Sequence, residues 1–263
     1  MDTRLSGTSA FVSGSTQGIG YAIARSLLRE GVAVVVNGRD AARVQSAVER
    51  LEAEVPGASV SGIAADFQDA GQVELLCEAL HGIDILVNNV GLFEVRAFED
   101  IPDDEWSRYF EVNVMSGVRL SRAVLPRMIE RGWGRIVFVG SESGVNIPAD
   151  MTHYGVTKAG MLALSNGLAK LTRGTGVTVN TILGGPTYSD GVAGTVDRIA
   201  AVQELAPSDL KAAIIGGNHT SLLERFIEPD EIANLAVYLA SPLSSATNGA
   251  ALRADGGVLT ALL

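Results

Sequence analysis

Tyr154 and Lys158 stand four residues apart in the run Tyr154-Gly155-Val156-Thr157-Lys158. On a helix that spacing brings both side chains to one face, with Cβ atoms about 5–6 Å apart. A phenol carries protons poorly near neutrality because its ordinary pKa is about 10. A nearby ammonium favours the phenolate and lowers that value. The pair therefore suits acid–base work at an oxygen, such as the alkoxide that develops when hydride reaches a carbonyl. Read alone, it is equally an amphipathic pair on a helix surface.

A second group is Gly14-Ser15-Thr16-Gln17-Gly18-Ile19-Gly20, placed between a β-rich run and a helical one. Its spacing is G-x-x-x-G-x-G rather than G-x-G-x-x-G, and no Lys-Ser/Thr pair follows as in a P-loop. Gly14 permits a sharp turn, Gly18 lets backbone approach a pyrophosphate, and Gly20 lets the helix pack closely on the strand. Free N–H groups at a helix start and the helix dipole attract an anion there. Alone, the loop is either a dinucleotide seat or a glycine-rich turn without a ligand. Other chemistries fit poorly. Gly140-Ser141-Glu142-Ser143-Gly144 would place Glu142, not a nucleophile, at the centre of an elbow. His81, His153 and His219 lack metal-ligand spacing, so no metal site is expected. His153 is either a pocket or a loop residue. Cys77 has no partner for a disulfide within the chain and is expected to be buried and inert.

The elements that must position these residues alternate along all 263 residues. Apolar, β-rich runs occur at Ser9–Ser13, Ala33–Asn37, Ser59–Ala64, Ile83–Asn88, Arg135–Gly140, Val177–Leu183 and Ala250–Arg253. Helical spacing lies between them, as in Ile19, Ile23, Leu27 and Leu28, or Val44, Val48, Leu51 and Val55. Continuous Val/Ile/Leu strands alternating with helices predict a mainly parallel, seven-stranded sheet with helices on both faces. The expected fold is a doubly wound, Rossmann-type α/β domain spanning residues 1–263, since no composition break separates a second domain. A hydrophobic fraction of 47% supports a substantial core. A net charge of −10 argues against a nucleic-acid partner. No apolar run approaches the roughly 18 residues of a membrane span, and the first residues lack a signal pattern. A cytoplasmic location is expected.

Further motifs come in order: Asn88-Asn89-Val90-Gly91, Asn113 in Glu111-Val112-Asn113-Val114, Ser141, the Tyr154/Lys158 pair, and Asn248-Gly249 with Asp255-Gly256-Gly257 near the C-terminus. With the glycine loop, they identify a chain that resembles the short-chain dehydrogenase/reductase family over essentially its whole length. Two motifs depart from the family pattern: Val90 replaces the alanine of N-N-A-G, and Gly184-Gly185-Pro186 replaces Pro-Gly. The resemblance implies that Tyr154 is the general acid/base and that Lys158 also bonds the nicotinamide ribose. It further implies that Ser141 holds the substrate oxygen and Asn113 positions a relay water. Gly14 to Gly20, Asp66, Asn89 and Gly91 would line the cofactor, with Thr187 and Ser189 as hydroxyls near the nicotinamide.

Val36-Asn37-Gly38-Arg39-Asp40 ends the second expected strand. Gly38 stands where NAD-preferring relatives carry an acid, and Arg39 follows with a fork that complements a 2′-phosphate. Ser15 and Thr16 would add hydroxyls to the same phosphate, whereas Gln17 replaces a basic residue. Asp40 reads as a helix N-cap. NADP(H) is therefore favoured, with NAD(H) possible. Residues 187–226, with Tyr188, Val192, Val196, Leu205, Leu210 and Ile214, read as a substrate lid. Glu142, Ile147, Met151, Phe93 and Val95 are further pocket candidates. The resemblance implies interconversion of a carbonyl and a secondary alcohol, and its general likeness to 3-oxoacyl-carrier-protein reductases implies 3-oxoacyl thioesters as the substrate class. Arg96, Lys211 and Arg225 are available to an acidic carrier. The alternative is a non-catalytic dinucleotide sensor or scaffold of the same fold. Helices around Trp106–Glu130 and Thr152–Arg173 carry a second apolar face, with Val112, Val114 and Leu120 on one and Met161, Leu164 and Leu168 on the other. A second apolar face is covered either within one subunit or by a partner; the family resemblance implies that these helices pair across a two-fold axis in a homodimer or homotetramer.

Overall fold

The apolar runs are strands in the computed structural model, which describes residues 2–217 and 220–262; His219 lies outside the described residues. They are β1 (Ser9–Val12), β2 (Ala33–Gly38), β3 (Val60–Ala64), β4 (Ile85–Asn88), β5 (Trp133–Val139), β6 (Gly176–Gly184) and β7 (Ala251–Ala254). They form one sheet in the order β3-β2-β1-β4-β5-β6-β7, and every pair is parallel. Because side chains alternate across a strand and both faces of the central sheet are covered, runs of successive apolar residues occur, as in residues 33–36 and 136–139. Val12, Val34, Val36, Val87 and Val137 pack on one side with helices α1 (Gly18–Arg29), α2 (Ala41–Glu54) and α9 (Pro229–Ala240). Phe11, Leu86, Ile136, Phe138 and Val179 pack on the other with α3 (Ala70–Ala79), α5 (Ser116–Arg131) and α6 (Thr152–Leu171).

Chain order reverses between β1 and β4, so the loops after these strands diverge and leave a crevice at their C-terminal ends. Asp40 caps α2 as expected, accepting from Arg43 N–H at 2.8 Å.

The segment expected as a helix around Trp106–Glu130 is interrupted. α4 (Asp103–Phe110) and α5 are joined by a π-helical turn over Glu111–Met115. Such a turn takes in an extra residue and shifts the register of the helix beyond it. It carries Asn113. Val112, Val114, Leu120 and Met161, read as part of a second apolar face, are buried within the single chain; Phe110, Val156 and Leu171 are the large exposed residues of these helices. Beyond β6 lie α7 (Asp190–Val202) and α8 (Pro207–Gly217). The chain ahead of α7 is tied to the one ahead of α9 by Tyr188 N–H to Ile227 O (2.9 Å) and Ile227 N–H to Pro186 O (2.8 Å). Among the described residues, no helix is long and apolar enough to cross a membrane.

Candidate active site

The glycine loop makes the sharp turn its sequence requires. Gly14 and Gly18 both sit at φ +61°, and a Cβ on Gly20 would lie 2.5 Å from Asn89 Nδ2 and from Gly14 O. Asn89 enforces this closeness: its amide donates to Ser13 O and Gly14 O, each at 2.9 Å, across the switch point. Asn89 therefore braces the loop and does not line the adjoining cavity as expected, because both amide hydrogens are taken up by backbone. Ser15 is a second correction. It is fully buried, donating to Val12 O (2.7 Å) and accepting from Asn37 N–H (2.9 Å), so its hydroxyl joins the strand ends instead of facing a phosphate.

The cavity beside the loop measures about 250 Å³ and is lined by Gly14, Thr16, Arg39, Arg43, Asp66 and Gly91, among others. A Cβ on Gly38 would meet Thr16 Cγ2 at 2.6 Å, which leaves little room for an acidic side chain there. Arg39 is exposed on the rim, with no ion pair or side-chain hydrogen bond among the described residues. Arg43, one helical turn on, also lines the cavity and hydrogen-bonds Gln17. Apolar periodicity places Arg43 only on an amphipathic helix; its four-residue spacing from Arg39 is the signal in the sequence that marks it as a second cation at the cavity. The N-terminus of α1 already holds an anion: Gly18 N–H donates to Asp190 Oδ2 at 2.6 Å. A left-handed glycine turn, a helix start that accepts a carboxylate and two arginines on the rim fit a phosphorylated dinucleotide.

A second cavity, of about 310 Å³, brings together Ser141, Tyr154, Thr187 and Ser189, with Ile19 and Phe93 on its walls. Ser141 follows β5, and Tyr154 lies in the first turn of α6. Lys158 is buried; its Nζ donates to Val139 O (2.9 Å) and lies 5.7 Å from the Tyr154 ring centre. Burial pushes the Lys158 amine down to about 8, opposed by the charge of Glu142. Burial also pushes the Tyr154 phenol up to about 12, against a hydrogen bond with Ser141 and with the Glu142 charge adding to the rise. The expected lowering of Tyr154 by Lys158 is thus reversed, since desolvation dominates with the ammonium turned to a carbonyl.

Asn113 is fully buried. Its Nδ2 donates to Leu92 O (3.0 Å) and Thr157 Oγ1 (2.9 Å), and its Oδ1 accepts from Leu92 N–H (2.7 Å). The side chain thus clamps the β4 loop to α6, with both donors engaged by protein. Gly185, in the altered Gly-Gly-Pro motif, is required by close approach: a Cβ would lie 2.5 Å from Asp255 O. His153 is neither a loop nor a pocket residue. It is buried on α6 against Tyr109, ring centres 4.1 Å apart, and burial lowers its pKa. Arg96 pairs with Glu94, Arg225 with Glu231, and Lys211 lies 3.5 Å over the Tyr188 ring. Among the described residues, no group of three or more His, Cys, Asp or Glu could hold a metal ion.

Residues 8–199 match the family model for short chain dehydrogenases. The chain is 45% identical to the uncharacterized oxidoreductase YvaG of Bacillus subtilis, with 98% of each chain covered. It is 33% identical to the D-beta-hydroxybutyrate dehydrogenase of Cupriavidus necator, over 96% of this chain and 98% of that one. The crystal structure of L-sorbose reductase from Gluconobacter frateurii, complexed with NADPH and L-sorbose, superposes with a TM-score of 0.94 at 30% identity, covering all of both chains.

Proposed function

The chain belongs to the short-chain dehydrogenase family of oxidoreductases, and on that premise we propose that it interconverts a ketone and a secondary alcohol with NADP(H) as the preferred cofactor. The observation that carries this reading is the meeting of Ser141 and Tyr154 in one cavity, with Lys158 buried behind them and the glycine loop on the same crevice. Gly14, Thr16, Gln17, Gly18, Ile19 and Gly20 would hold the cofactor's phosphates, and Arg39 with Arg43 the 2′-phosphate. Asp66 and Gly91 would lie along the adenosine, and Thr187 and Ser189 near the nicotinamide. The cofactor, when bound, supplies or accepts the hydride.

The chain's own residues manage the oxygen and its proton. Ser141 orients the substrate oxygen towards Tyr154. The raised phenol keeps its proton at neutral pH, so Tyr154 Oη is ready to donate to the oxygen during ketone reduction. In the opposite direction it must first lose that proton. Alcohol oxidation is therefore expected to rise steadily from neutral to alkaline pH while ketone reduction stays level near neutrality. Initial rates in both directions across that range check this, and an oxidation rate that falls with rising pH refutes it. Lys158 and Asn113 position the proton path, and residues 187–226 act as a lid that excludes water. We include assembly into a homodimer or homotetramer in this reading, with Phe110, Val156 and Leu171 as its exposed apolar contacts.

Asp190 bears on binding directly, since its carboxylate occupies the N–H that a pyrophosphate would use. Asp190→Asn is expected to tighten NADPH binding by about threefold to tenfold by removing a like charge. Fluorescence titration measures this, and an unchanged or weaker affinity contradicts it. The reading as a whole is tested by NADPH and NADH oxidation at 340 nm against 3-oxoacyl thioesters, diketones and hydroxyketones. The apolar walls formed by Phe93, Met151, Val192 and Phe226 suit the acyl chain of a 3-oxoacyl thioester.

A further inference from the structure

Glu142 carries no proton or hydride in the reaction described above, yet it lines the cavity of Ser141 and Tyr154. Among the described residues lining that cavity, it is the one carboxylate, and no Lys, Arg or Asp joins it. Its Oε2 accepts from Ser141 Oγ (2.5 Å), Ser143 N–H (2.7 Å) and Ser143 Oγ (3.2 Å), so the carboxylate is held in place. Its Oε1 takes part in no hydrogen bond among the described residues and is left as an acceptor. Lys158, the cation that feels the Glu142 charge, donates to Val139 O, while Arg225 pairs with Glu231 and Lys211 lies over the face of Tyr188.

A carboxylate substrate brought to Ser141 would thus face a fixed carboxylate in a cavity whose lining includes no Lys or Arg among the described residues. A hydroxyl beside the ketone would instead find an acceptor. We infer that Glu142 is the specificity-determining residue of this cavity, admitting ketones that are uncharged around the carbonyl, favouring those with a neighbouring hydroxyl, and rejecting carboxylates. The inference rests on the reductase reading. It is compatible with an acyl thioester, which is uncharged at that depth, and excludes the corresponding free acid.

Two matched pairs test it by NADPH-dependent kcat/KM: methyl acetoacetate against acetoacetate, and 1-hydroxy-2-butanone against 3-pentanone. The wild-type protein is expected to prefer the uncharged ester by about tenfold or more, as a buried like charge suppresses the wrong ligand. Glu142→Gln keeps an acceptor but removes the charge. It is expected to bring acetoacetate within about threefold of its ester, mainly through KM, while retaining the preference for the hydroxyketone. Glu142→Leu is expected to lose the hydroxyketone preference as well. NADPH affinity of each variant, measured by fluorescence titration, separates a folded variant from a collapsed one. Equal use of ester and acid by the wild-type protein overturns the inference alone. So does a charge preference that survives in a folded Glu142→Gln variant. Absence of turnover of all four ketones by NADPH-bound wild-type protein overturns the reductase reading, and this inference with it.

Discussion

Tyr154→Phe is expected to lower kcat by about 10²- to 10⁴-fold, the usual contribution of a positioned proton donor. Phenylalanine keeps the ring, which packs edge-on to Phe93 with centres 6.5 Å apart, and deletes the hydroxyl alone. NADPH affinity is therefore expected to remain within about twofold, because no packed surface is lost. Stopped-flow measurement of a single turnover, beside equilibrium titration of NADPH, separates the two quantities. Full activity in the variant would remove Tyr154 as the acid. A variant that binds NADPH normally but does not turn over distinguishes an enzyme from a non-catalytic dinucleotide sensor, whose behaviour would not depend on the hydroxyl.

Arg39→Ala is expected to weaken NADPH binding by about tenfold to a hundredfold, on the scale of one or two lost charge-assisted hydrogen bonds. NADH binding should change little, since it lacks the 2′-phosphate. The guanidinium is exposed at the cavity rim and has no ion pair among the described residues, so its removal breaks no contact that holds the fold. Arg43→Ala is expected to have a smaller effect of the same kind, because that guanidinium is shared with Gln17. Paired titrations with both nucleotides measure the discrimination, and equal losses for NADPH and NADH would refute a 2′-phosphate role for either arginine.

These expectations draw unequally on sequence and structure. Strand positions were legible in the chain because a strand covered on both faces must be apolar at consecutive residues, as Val32 to Val36 are. The glycine loop was legible because left-handed turns and close backbone approach admit few residues besides glycine, which Gly14, Gly18 and Gly20 bear out in their φ angles and crowding. The N-cap at Asp40 was legible because capping is local, reaching only three residues along the chain.

Features that spacing could not reveal depend on groups distant in sequence. Ser15 and Asn89 look available for a ligand in the sequence, but their hydrogen bonds are taken by Asn37, Ser13 and Gly14 once β1, β2 and β4 lie side by side. The contact of Asp190 with Gly18 joins residues 172 positions apart. The sign of the Tyr154 shift also belongs to the tertiary structure. Spacing alone puts an ammonium beside the phenol, but folding decides how much water both groups lose and turns Lys158 towards Val139. The α/β framework and the residue types at the crevice were thus written in the chain, because helix and strand periodicity and glycine geometry are local properties. Which of those side chains face the cavity, what charge they meet there and which are already satisfied was settled by folding, because desolvation and hydrogen-bond partnership arise where distant segments pack together.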